Sequence, residues 1–153
     1  MSILSRTTLV IGSAGVAAIC AAAIHAAVII EQPADHDAIT RTALDYIEGF
    51  YTGDEARMRR SLHPDLAKRI MRVDPSSGQP RLDHQTTEQL VGITRSRKGV
   101  APPPKPQNDV TVLDVFGNAA TVKVIANQWV DYLHVVKWNG EWKIVNVLWE
   151  MKP

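Results

Sequence analysis

Two residue types in this chain have the chemistry to hold a carbonyl group or move a proton near neutral pH, tyrosine and histidine. Tyr46 stands in DYIEGFYTGD and His134 in WVDYLHVVKW. A phenol and an imidazole facing one cavity could together hold a carbonyl or ring nitrogen of a bound ligand. His63, in LHPDLAKR, offers a further acid–base or ligand contact at the mouth of such a cavity. Phe50 lies one helical turn beyond Tyr46, and Trp129, Tyr132 and Trp149 offer faces on which a flat ligand could stack. Each residue also has a plainer reading. Tyr46 could be a core tyrosine with a satisfied hydroxyl, His134 a strand residue bonded to backbone, and His63 a helix cap. The tryptophans could be core and interface. Asp131 and Tyr132 line either a pocket or a face between two copies, and alternation does not choose. No complete catalytic set stands in the sequence.

Other chemistries lack their residues. His25, His36, His63, His84 and His134 show no H-x-H or H-x-x-x-H spacing, so no metal site is expected. Cys20 is the only cysteine, which leaves the remainder of the chain without a thiol nucleophile or disulfide. There is no G-x-S-x-G, phosphate loop or dinucleotide fingerprint, and no cofactor is implied. The 153 residues carry 17 Lys and Arg against 16 Asp and Glu. Arg57, Arg59 and Arg60 sit beside Asp54 and Glu55 and read as a solvated helix face. No basic footprint for nucleic acid is present.

The first 30 residues form a leader. Thr7 to Ile30 contain no Asp, Glu, Lys or Arg; Arg6 precedes this run and Glu31 ends it. A basic start, an apolar stretch and the small residues of Ala21–Ala27 make a signal peptide. The run is also long enough to span a bilayer, so a retained signal anchor is the rival reading. Lipidation of Cys20 is disfavoured by the bulky Ile19 before it. The expected location is periplasmic or secreted, or anchored to the inner membrane if Thr7–Ile30 is not cleaved.

The elements that would position the side chains follow. Ile39, Ala43, Tyr46, Ile47 and Phe50 recur at helical spacing and predict a helix from Asp35, its N-cap, to Thr52. Gly53 stops it, and Asp54 caps a second, shorter helix with Met58 and Leu62 facing inward. Pro64 limits that helix or opens a further turn over His63–Leu66. Ala67–Val73 and Pro80–His84 flank the turn-rich DPSSGQ as a short hairpin. Thr86 or Thr87 caps a third helix through Arg97, with Leu90, Val91 and Ile93 on its apolar side. VAPPPKPQ at 100–107 is a connector. Four strands follow, at 109–116, 119–127, 129–138 and 141–150, with tight turns at Gly117-Asn118 and Asn139-Gly140. Helices first and a meander last give α+β. In the third strand one face holds Trp129, Asp131, Leu133 and Val135, and the other Val130, Tyr132, His134, Val136 and Trp138. Both are apolar enough to be covered, the second most simply by another copy, so a homodimer through the sheet is expected.

This order of elements resembles the nuclear transport factor two-like (cystatin-like) fold. DYIEGFYTGD, LHPDLAKR, VLDVFGNAATVKV and WVDYLHVVKWNGEWKIVNVLWE resemble its bacterial lumazine-binding branch, across residues 34–153. The resemblance implies a cone of three helices on a curved antiparallel sheet with a pocket between them. The fold hosts isomerases, dehydratases, cyclases and binding proteins, so it does not fix a reaction. The ketosteroid isomerases of this fold use a tyrosine eight residues before the Asp of a Gly-Asp pair, which is Tyr46 here. Their carboxylate base, sixteen residues after that Asp, is replaced by Ile70, and their protonated acid by His134. Isoleucine accepts no proton, which disfavours that chemistry unless Asp65, His63 or Asp83 swings into place. The expected function is an exported small-ligand-binding or accessory protein for a small apolar or aromatic molecule. The rivals are an isomerase- or dehydratase-like enzyme using Tyr46, His63 and His134, and a membrane-anchored interaction domain. The central expectation is that Tyr46 and His134 look into one cavity.

Overall fold

The computed structural model describes residues 33–153, and the leader expected at 1–30 lies outside the described residues. The described part opens with α1 (Pro33–Thr52) and α2 (Glu55–Ser61), then forms β1 (Leu62–Val73) and β2 (Pro80–Gln85). After α3 (Thr87–Ser96) come β3 (Asp109–Phe116), β4 (Ala119–Ile125), β5 (Trp129–Trp138) and β6 (Glu141–Met151).

Proline suits the first turn of α1, because it lacks only an N–H that would have no partner there. Asp35 is therefore not the cap the sequence suggested. Its carboxylate accepts from Lys137 Nζ at 2.8 Å and from Trp142 Nε1 at 3.0 Å, tying α1 to the β5–β6 hairpin. Those hydrogen bonds hold it below the ordinary carboxylate range. Gly53 ends the helix at φ 70°, and a Cβ there would lie 2.5 Å from the backbone nitrogen of Lys98. Both the conformation and the space demand glycine. Asp54 then caps α2 through the N–H groups of Ala56 and Arg57. Thr86 and Gln89 form a capping box on α3.

The turn suggested at His63–Leu66 does not form. The chain passes directly from α2 into β1, whose pairing with β6 shifts between Leu62 and Ala67. Pro64 lies inside that irregular stretch, where its missing N–H costs no ladder bond.

The six strands form one sheet in the order β2-β1-β6-β5-β4-β3. β1 runs parallel to β6, and every other neighbouring pair is antiparallel. The three helices cover one face. Ile39, Ala43, Tyr46 and Ile47 of α1 pack on Val122 and Val124 of β4, Leu133 and Val135 of β5, and Ile144 and Val147 of β6. Each of the Val, Leu and Ile side chains contributes about 1.5–3 kcal/mol by leaving water. The alternation read in β5 holds: Asp131, Leu133 and Val135 are buried, whereas Tyr132, His134 and Trp138 are exposed.

Candidate functional site

An apolar cavity of about 170 Å³ opens between the helices and one end of the sheet. α1 supplies Tyr46, Ile47 and Phe50, and α3 supplies Leu90 and Ile93. The sheet side is Lys68 of β1, Trp129 of β5, and Trp149 and Met151 of β6, with Gln85 and Gln128 beside them. Ile93, Gln128 and Met151 are exposed and form the rim. Phe50 meets Trp129 edge to face at 5.5 Å between ring centres, so two aromatic rings brace one wall. The Arg97 guanidinium lies 4.6 Å from the Phe50 ring centre.

One charged group interrupts this lining. Lys68 points inward from β1 with its side chain only 7% exposed. Its Nζ donates to Asp131 Oδ1 at 2.6 Å and to the Tyr46 hydroxyl at 2.6 Å. It also lies 4.7 Å from the centre of the Trp149 ring. Asp131 is fully buried, and its second oxygen accepts from Trp129 Nε1 at 2.7 Å. Lys68 is at the cavity surface, and its counter-ion lies behind it, outside the lining. Local sequence explains the placement. Leu66, Lys68 and Ile70 share one face of β1, as Asp131 and Leu133 do on β5. A strand that buries its apolar neighbours buries these charges too, and they survive there only by pairing.

Burial pushes the Lys68 ammonium below the usual lysine range, against the opposing pull of Asp131. Burial pushes the Tyr46 phenol well above its ordinary value, and the negative Asp131 adds to this. Tyr46 is thus held protonated. The cavity end carries donors whose only full charge is balanced from behind. It suits an uncharged ligand with one acceptor, such as a carbonyl oxygen, more than a carboxylate, which would face Asp131.

The expected residues divide into two groups. Tyr46, Phe50, Trp129 and Trp149 line the cavity. His134, His63 and Tyr132 do not. His134 is exposed on the opposite face of the sheet, where Asn146 lies 3.3 Å from its Nδ1. The expected meeting of Tyr46 and His134 therefore fails, because side chains alternate and residues 131 and 134 of one strand look opposite ways. His63 is held edge-on to Trp138 at 4.8 Å, and its Nδ1 accepts from the backbone N–H of Asp65. It is a strand residue, neither a helix cap nor a group at the cavity mouth. Tyr132 is exposed beside Lys123. Ile70, in the place of the isomerase base, is buried two residues beyond Lys68. Asp65 is exposed, and Asp83 pairs with Arg72 and Arg81. Among the described residues no three His, Cys, Asp or Glu side chains converge as a metal site requires.

Lys68 escaped the sequence reading, and Asp131 was left open there. The available signal was a charge flanked at alternate positions by large apolar residues, Leu66 and Ile70 on one side and Trp129 and Leu133 on the other.

Residues 34–150 match the family model described as "Putative lumazine-binding". The chain belongs to this lumazine-binding family. Solved structures share its fold. A nuclear transport factor two-like protein of unknown function from Shewanella baltica superposes with a TM-score of 0.64 at 19% identity, covering 81% of this chain and 98% of that one. One from Silicibacter pomeroyi gives 0.63 at 16% identity, with 80% and 100% covered. A ketosteroid isomerase-like protein from Erwinia carotovora atroseptica gives 0.57 at 12% identity, with 80% and 100% covered. No curated protein matches the chain. At these identities the structural neighbours share the architecture of this lumazine-binding family member, a fold that accommodates many chemistries.

Proposed function

We propose that this is an exported small-ligand-binding protein whose site is the cavity between α1, α3 and the β1–β6–β5 wall. The observation that carries this reading is an aromatic-walled apolar hollow with a single polar end, at Lys68 and Tyr46. Such hollows combine apolar burial for affinity with a few polar groups for orientation. A cavity of about 170 Å³ matches one aromatic ring, since a dry engineered cavity of about 150 Å³ takes up benzene. A larger ligand would project past Ile93, Gln128 and Met151. Export is supported by the uncharged run of Thr7–Ile30 behind Arg6. Mass spectrometry of the N-terminus of the protein from cell fractions separates a cleaved signal from a retained anchor.

The proposed active form is a homodimer through the outer face of the sheet. Met71, Leu82, Tyr132, Trp138 and Leu148 are exposed large residues on strands β1, β2, β5 and β6. Exposed apolar side chains grouped on one sheet face mark a site of association. Light scattering at micromolar concentration should give twice the chain mass, and Leu148→Glu should give a folded monomer.

The ligand reading is tested with benzyl alcohol, a single ring with one polar group, followed by tryptophan fluorescence. Saturable binding is expected in the wild type and at least about tenfold weakening in Ile93→Trp, which narrows the rim, a loss of about 1.4 kcal/mol. Absence of saturable binding contradicts the reading.

A further inference from the structure

Lys68 has features that go beyond holding a ligand in place. An amine becomes a nucleophile when its proton can be taken up locally and water is kept away. Here the side chain is at the wall of an apolar cavity, its carboxylate partner is 2.6 Å behind, and a phenol is 2.6 Å to the side. A purely structural ion pair needs neither the cavity nor the phenol.

We propose that Lys68 captures a small aldehyde or ketone as a reversible imine. This rests on the cavity being a ligand site. The ammonium passes a proton to Asp131, and the freed nitrogen lone pair attacks the carbonyl carbon. The C–N bond forms as the carbonyl π pair moves onto oxygen. That oxygen takes a proton from the Tyr46 hydroxyl, which is replenished from the nitrogen. Asp131 then returns its proton to the new hydroxyl, which leaves as water as the C=N bond forms. Lysine ammonium and carbonyl compound have become iminium and water. The pair is neutralised when Asp131 takes the proton and charged again when the iminium forms beside it, so no net charge is moved into or out of the buried site. Phe50, Trp129 and Trp149 make an aromatic or short alkyl carbonyl compound the favoured class. Trp149 also faces the cation that forms.

The test incubates the full protein with benzaldehyde and cyanoborohydride, which reduces an imine where it forms, followed by peptide mass mapping. Lys68 should carry one benzyl group and acquire it faster than exposed Lys98 or Lys105. Lys68→Arg keeps the ion pair, cannot form an imine, and should remove that label alone. Labelling of surface amines with Lys68 unmodified overturns the proposal. Benzyl alcohol, which cannot form an imine, separates the two readings. If it binds while Lys68 stays unlabelled, the imine is wrong and the cavity stands; if it does not bind and nothing labels, both are wrong.

Discussion

The two faces of the β1–β6–β5 wall carry similar kinds of residue and treat them differently. On the inner face Lys68, Asp131 and Trp129 form a chain of short hydrogen bonds ending at Tyr46, with Tyr46, Lys68 and Asp131 buried. On the outer face Arg69 donates to Asn146 at 2.8 Å, and Asn146 lies beside His134. In the single chain that second set is partly exposed, and water can replace its bonds wherever a second copy does not cover it. The same polar atoms are therefore committed on one face and optional on the other. For function, the lesson is that His134 lies exposed on the outer face of the single chain, whereas an ordinary lysine is buried at the cavity wall.

This contrast can be broken by mutation. The largest effect is expected for Asp131→Ala, which leaves Lys68 buried without a counter-ion and should cost about 3–5 kcal/mol in chemical denaturation. Sharper still is the double change Lys68→Met with Asp131→Leu. Removing both charges should restore stability to within about 1 kcal/mol of wild type or exceed it, while the cavity loses its polar end. A double variant as unstable as Asp131→Ala would mean that the pair is not the source of the cost.

Tyr46→Phe is a smaller test, with an expected loss of about 1 kcal/mol for the missing hydroxyl. The pH dependence has a definite sign. Because the folded phenol ionises well above 10.0, the unfolded chain loses this proton first as pH rises. The contribution of Tyr46 is therefore complete below about 10 and is lost as pH climbs toward the folded value. Ultraviolet titration should show a component that ionises well above the ordinary phenol range, and Tyr46→Phe should remove it. The smallest effect belongs to the outer face. His134→Ala should change monomer stability by no more than about 0.5 kcal/mol and leave benzyl alcohol binding unchanged.

Much of the fold was legible in the sequence because local rules and packing agree there. Gly53, Asp54, Thr86 and Asn139-Gly140 mark turns and caps that the backbone adopts. The alternation in β5 sorted its residues correctly between two faces. It could not say which face the helices cover, since both are apolar, and so His134 and Tyr132 were grouped with Trp129 although strand geometry separates them. Asp35 and His63 were misread for a related reason. Caps are local, but these side chains take distant partners, Lys137 and Trp142 for one and Trp138 for the other. Lys68 was missed because a lysine among apolar residues resembles a solvated strand position until its partner, 63 residues away in sequence, is brought alongside.

The central claim is tested most directly by mapping where a one-ring ligand binds. In a heteronuclear nuclear magnetic resonance titration with benzyl alcohol, the account predicts saturating shifts at Tyr46, Phe50, Trp129 and Trp149, with His134 and Leu148 unmoved. Saturating shifts centred on His134, Tyr132 and Leu148 instead would contradict it.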